Sequence, residues 1–181
     1  LLPGEVEWNI DRVRAPAVWA LGFRGAGAVV ATIDSGARAT HPILAANVLE
    51  STLGTPLFFD ALKGRPTPYD ESGHGTYVLG IAVGTDGFGV APEAKWMACK
   101  AFKRRRTGIM GTAADILECA QWVLNPDAPE DPNPAHLPDV ILNAWSLADP
   151  NGCDPILQDV VRVWRAAGML PVGLRGAGDR L

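Results

Sequence analysis

The chain has 181 residues, enough for one domain with a buried core, and its 48% apolar and 20% charged residues are the balance of a globular protein. A formal net charge of −4 excludes the broadly basic surface that nonspecific nucleic-acid binding needs. The longest apolar run, residues 26–33, is too short to cross a bilayer, and no basic-then-apolar signal segment opens the chain. The first residue is Leu1 rather than Met, so the chain reads as a mature or internal piece of a longer one.

Residues 15–21 read as a short helix with Pro16 early and Gly22 ending it. The continuous β-branched run Ala28-Val29-Val30-Ala31-Thr32-Ile33, bounded by Gly27 and Gly36, reads as a strand covered on both faces. Residues 52–72 are polar and proline-rich, a loop in which only 57–59 pair as a strand. After Gly73-His74-Gly75-Thr76 comes an apolar stretch, 77–83, expected to be a buried helix packed through Val78, Ile81 and Ala82.

Residues 95–102 form the next expected strand. Thr112 then caps a helix over 113–124 that places Ile116, Leu117, Ala120 and Val123 on one face. A proline-laden loop, 125–138, precedes a strand at 140–142. Asp154-Pro155 starts a helix to Ala167 with Val160, Val163 and Trp164 inward, and 169–172 is a last strand. Alternating strands and helices predict an α/β fold with a mainly parallel sheet, in which reactive groups gather at the carboxyl ends of the strands.

Two residues meet that condition. Asp34 ends the first strand; alone it reads more readily as a turn aspartate bonding its own backbone. His74 stands between two glycines where a helix begins, a place where an imidazole can face a cleft and act as a general base. His41 and His136 sit beside prolines and read as surface residues. Cys99, Cys119 and Cys153 are an odd set without a C-x-x-C pair, compatible with one disulfide and a free thiol or with three buried thiols. The glycines of 22–27 precede their strand instead of following it, which is wrong for a phosphate loop. Lys103-Arg104-Arg105-Arg106 reads as a solvated surface loop rather than a nucleic-acid contact.

Taken together, Ile33-Asp34-Ser35-Gly36, Thr40-His41-Pro42, His74-Gly75-Thr76 and Gly89-Val90-Ala91-Pro92 resemble the ordered blocks of the subtilisin-like (subtilase) serine proteases. The stretches 99–102, 115–122 and 164–168 are most similar to the bacillopeptidase F branch, and the resemblance covers residues 5–172. It implies a subtilisin-like three-layer α/β fold in one partial catalytic domain, 1–181, with the C-terminal part missing. It implies that Asp34 orients an imidazolium and that His74 is the general base and acid of an Asp-His-Ser triad. It further implies that Asn143, Ala144, Trp145 and Ser146 pair with an extended peptide as an added strand. Ser146 where the family has glycine narrows the adjacent pocket, and Tyr77 replaces a second histidine. The implied partner is a polypeptide substrate, with no nucleic acid and no membrane; the implied location is outside the cell; the cofactor is unknown, with calcium a candidate ion.

The resemblance also fails in places. The family's oxyanion asparagine is missing, with Ala177 near its position, and no Gly-Thr-Ser-Met-Ala block occurs around Ser35, Ser51, Ser72 or Ser146. Leu174-Arg175-Gly176 is what a GC-rich stretch coding for Phe-Ala-Ala gives when read one base out of register, so a frameshifted or truncated gene is expected, with apolar strand faces left uncovered. The expected product is an inactive fragment of an endopeptidase; the alternative is a pseudoprotease that holds extended peptides along 143–146.

Overall fold

The computed structural model describes residues 5–106, 108–127, 133–146 and 154–174. Two short helices, α1 (Trp8–Arg12) and α2 (Ala15–Trp19), precede the first strand, β1 (Val29–Asp34). There follow α3 (Pro42–Ala45), β2 (Phe58–Asp60), α4 (His74–Val83), β3 (Lys95–Lys100), the arms β4 (Lys103–Arg105) and β5 (Gly108–Met110), α5 (Ala113–Trp122), β6 (Val140–Asn143), α6 (Pro155–Ala166) and β7 (Leu170–Gly173).

Five strands pair in the order β2-β3-β1-β6-β7, every pairing parallel. β1 lies at the centre and all six of its residues are buried, as its unbroken apolar run requires. Its side chains alternate between two cores. Val29, Ala31 and Ile33 join Met97 and Cys99 against Ile116 and Ala120 of α5, Val123 just beyond it, and Trp164 of α6. Val30 joins Trp96 and Ala98 against Leu79 and Val83 of α4 and Leu44 of α3. The sheet is thus the middle of three layers. By the two-residue period of a strand, Asp34 lies on the α4 side with Val30, and Lys100, its register partner on β3, lies there too.

Several expectations are corrected in phase or length. The fully buried face of α4 is Gly75, Leu79, Gly80 and Val83; of the three expected residues, Ala82 packs against that core, partly buried, and Val78 and Ile81 do not join it. A helix apolar all round carries no stripe to reveal its phase. On α6 the covered stripe runs through Leu157, Val160 and Trp164, whereas Val163 is 50% exposed. α2 stops at Trp19 rather than 21, and β3 at Lys100 rather than 102. Residues 103–106 are no plain loop, because β4 and β5 form an antiparallel pair. Thr112 does cap α5, through a reciprocal box in which its hydroxyl accepts from the Asp115 N–H and its own N–H donates to the Asp115 carboxylate. β7 pairs only with β6 among the described residues, and Leu170, Val172 and Leu174 are exposed along it.

Cys99 and Cys119 are disulfide-bonded, with Cα atoms 5.6 Å apart, which ties β3 to α5 inside the core. Cys153 lies outside the described residues. The bridge closes a separation of 20 residues, for which chain entropy predicts about 3 kcal/mol of stabilisation. The double substitution Cys99→Ala with Cys119→Ala is therefore expected to lower unfolding free energy by about 3 kcal/mol in a denaturant titration. Dithiothreitol should lower the stability of the unsubstituted chain comparably and leave the double variant unmoved.

Candidate active site

β1 delivers Asp34 to the carboxyl edge of the sheet, and α4 begins at His74 directly opposite. The His74 Nδ1 lies 2.8 Å from Asp34 Oδ1. The Asp34 side chain is 2% exposed and that of His74 39%, so the carboxylate is interior while the ring reaches solvent. An ionised carboxylate only accepts, so Nδ1 carries the proton and Nε2 is left as the basic nitrogen. Nε2 has no hydrogen-bond partner among the described residues.

Glycine permits this approach. A Cβ on Gly75 would stand 2.1 Å from the Gly36 carbonyl oxygen and 3.1 Å from the Asp34 Cβ. Gly36 has φ +108°, and a Cβ there would meet the Tyr69 carbonyl oxygen at 2.1 Å. Both positions therefore exclude any side chain, by contact and, for Gly36, by backbone conformation as well.

Asp70 organises the rim. Its Oδ1 accepts from the Ser35 hydroxyl and from the backbone N–H groups of Ser72 and Gly73, and its Oδ2 from the N–H and hydroxyl of Thr76. The Ser35 hydroxyl in turn accepts from the Gly75 N–H at 3.0 Å. These bonds fasten the first turn of α4 to the residue following Asp34. Sequence reasoning passed over Asp70; its place four residues before the histidine, in a Ser/Gly-rich turn, was the available signal. Lys100, fully buried, donates through Nζ to the carbonyls of Ser35 and Phe102. It braces the same corner from the β3 side.

The two aspartates titrate in opposite directions. Burial pushes Asp34 upward, and the bonds from His74 and from its neighbour Ser35 only partly offset this. Both of those bonds fall on Oδ1, and Oδ2 is buried without a partner. Burial acts on Asp70 as well, but the donors from Thr76, Gly73 and Ser35 outweigh it and hold its carboxyl below the usual range.

His74 faces a cleft of about 480 Å³, lined by Ser72 and Tyr77 on its own side and by Arg104, Arg105, Arg106 and Ile109 across it. The predicted peptide-pairing residues lie elsewhere along the edge. Asn143 belongs to β6, and its carbonyl accepts from the Leu174 N–H. Ala144, Trp145 and Ser146 continue beyond the strand. Trp145 donates from Nε1 to the Ile33 carbonyl at 3.0 Å and packs on Phe102, which ties this stretch to the strand that carries Asp34.

None of the serine hydroxyls reaches Nε2 among the described residues. Those of Ser35 and Ser51 are engaged by Asp70 and Thr55, and that of Ser72 accepts from the His74 N–H. His136, expected at the surface, is largely covered; its Nδ1 bonds Asp127 and its Nε2 bonds Asn133. His41 is likewise half-buried. Ala177 falls outside the described residues. No group of three or more His, Cys, Asp or Glu side chains among the described residues is placed to hold a metal ion, and no helix is long and apolar enough to cross a membrane.

The opposed titrations give opposed stability profiles. The folded pKa of Asp70 lies below its unfolded value, so its contribution is full above about pH 3.9 and is lost as pH falls through the folded value. Asp70→Asn is expected to destabilise the chain by about 2 kcal/mol at neutral pH, the penalty fading in acid. The folded pKa of Asp34 lies above its unfolded value, so its ionisation opposes folding once pH exceeds both and has no effect below about pH 3.9. Asp34→Asn should therefore raise the thermal midpoint at neutral pH, by an amount that shrinks towards pH 3. Scanning calorimetry of both variants from pH 3 to 8 measures this; two profiles of the same sign would contradict the assignment.

A family model described as the subtilase family matches residues 25–174. Bacillopeptidase F of Bacillus subtilis (strain 168) is 43% identical over 187 aligned residues, which cover 96% of this chain and 13% of that protein. Intracellular serine protease of Paenibacillus polymyxa is 36% identical over 58% of this chain and 32% of its own length. Subtilisin Savinase of Lederbergia lenta is 35% identical over 64% of this chain and 40% of its own. Each alignment thus takes in less than half of the relative's length. With the family model matching most of its residues, the chain belongs to the subtilase family.

Proposed function

We propose that Asp34 and His74 are the acid-base pair of a peptide-hydrolysing site whose serine nucleophile lies outside these 181 residues. The observation that carries this reading is the 2.8 Å bond from the His74 ring to a buried carboxylate, with Nε2 open on a cleft. In such a pair the carboxylate holds the ring in the Nδ1–H tautomer and stabilises the imidazolium, while Nε2 takes a proton from an attacking hydroxyl and returns it to the leaving amine. Subtilase membership supports peptide as the substrate class.

A peptide lying over the cleft would pair along 143–146, which runs on from the end of β6 and is tied by the Trp145 bond to Ile33 on the strand that carries Asp34. Without a serine at Nε2, the chain by itself binds such a peptide and leaves it intact. The Cys99–Cys119 bridge supports an oxidising location, in keeping with export.

Two measurements on the chain test this. A fluorophosphonate serine probe and a chromogenic peptide are expected to give no labelling and no turnover above background; either signal would overturn the placing of the nucleophile elsewhere. Nitrogen chemical shifts of the His74 ring are expected to report the Nδ1–H tautomer near neutral pH and a shift towards the Nε2–H form in Asp34→Ala. An unchanged tautomer in that variant would remove Asp34 from its orienting role.

A further inference from the structure

We propose that the cleft beside His74 selects peptides bearing an acidic side chain, with Arg104, Arg105 and Arg106 as the specificity-determining residues; this rests on the peptide-site reading above. The three arginines are consecutive, exposed and line the same cleft as His74 and Tyr77. The antiparallel pairing of β4 with β5, Arg104 opposite Ile109 and Arg105 opposite Gly108, holds Arg104 and Arg105 in one arm instead of a wandering loop. No carboxylate among the described residues lies within 4.0 Å of any of the three guanidinium groups. The acidic residue next to the cleft, Glu71, is taken up by Lys63 at 3.2 Å and by Lys100 at 4.0 Å.

The charge is local. The whole chain carries −4, so a cationic wall at the one cleft that holds the basic histidine nitrogen is a feature of the site and not of the surface at large. Guanidinium groups meet a carboxylate with two parallel N–H donors, a fit that an amide of the same shape does not repay. A single exposed pair contributes a few-fold in affinity, so two or three acting together give a preference of about tenfold. Aspartate or glutamate in an extended peptide is the matching chemistry.

The test uses the whole chain and fluorescein-labelled octapeptides that place one glutamate at each position in turn, each with a glutamine counterpart, followed by anisotropy. At the preferred position the glutamate peptide is expected to bind about tenfold more tightly at low salt, and the gap to close in 0.5 M salt by screening. Arg104→Gln, Arg105→Gln and Arg106→Gln combined should abolish the gap, so that the glutamate and glutamine peptides bind that variant equally. The three lysine substitutions, keeping charge without the fork, should retain part of it. Equal binding of both peptides at every position overturns acidic selection while the peptide cleft stands. No binding by any peptide overturns the cleft reading with it. Displacement of the glutamate peptide by an oligonucleotide of equal charge, at equal concentration, marks an unselective anion surface and overturns the assignment to peptide.

Discussion

A Cβ at position 75 would lie 2.1 Å from the Gly36 carbonyl oxygen, so the distance between the start of α4 and the end of β1 is set by backbone against backbone. That contact fixes where the imidazole of the preceding residue stands relative to the carboxylate at the strand's end. The bonds that run from Asp70 through Ser35 to the Gly75 N–H hold the approach closed, and Lys100 braces it from β3. Change the approach by an ångström and the Nδ1–Oδ1 bond is lost, whatever the side chains.

The same corner treats its two aspartates unequally. Asp70 has donors on both oxygens, five in all, and is a satisfied anion that stabilises the fold. Asp34 has its donors on one oxygen and a bare, buried second oxygen, so its charge is held at the expense of folding. A carboxylate left short of donors attracts a proton or a cation strongly, and His74 is the cation-forming group within reach. Satisfied and unsatisfied charge are thus divided between neighbours: Asp70 anchors the corner, and Asp34 keeps one oxygen short of donors.

How far the sequence disclosed this follows from the kind of signal each feature leaves. β1 was legible because its continuous apolar run is β-branched and bounded by glycines, which favours a strand covered on both faces, and the cap of α5 because Thr112 and Asp115 stand at box spacing. The position of His74 at a helix start was legible from the glycines beside it. The phase of α4 was not, since an all-apolar helix marks no face, and only its packing against Leu44, Trp96 and Ala98 selects Leu79 and Val83. Asp70 was missed because its role depends on partners 35 residues before it and up to six after, a network that no local pattern encodes. The pairing of Cys99 with Cys119, one of the arrangements left open, likewise comes from the register of β3 against α5.

The arginine run shows the limit most clearly. Composition makes four consecutive basic residues a solvated surface feature, and the three arginines are exposed while Lys103 is partly covered. What composition cannot supply is direction. Because β3 ends at Lys100 on the same edge where β1 delivers Asp34, a hairpin that follows β3 immediately must rise beside the histidine. Parallel register places the ends of neighbouring strands together, so whatever residues occupy the turn after β3 become a wall of the cleft. The scaffold thereby separates two variables: the Gly-buttressed corner sets the position of the Asp34–His74 pair, and the hairpin sequence sets the charge that faces it. Substitution in the hairpin can change the charge at the cleft without disturbing the bond between Asp34 and His74.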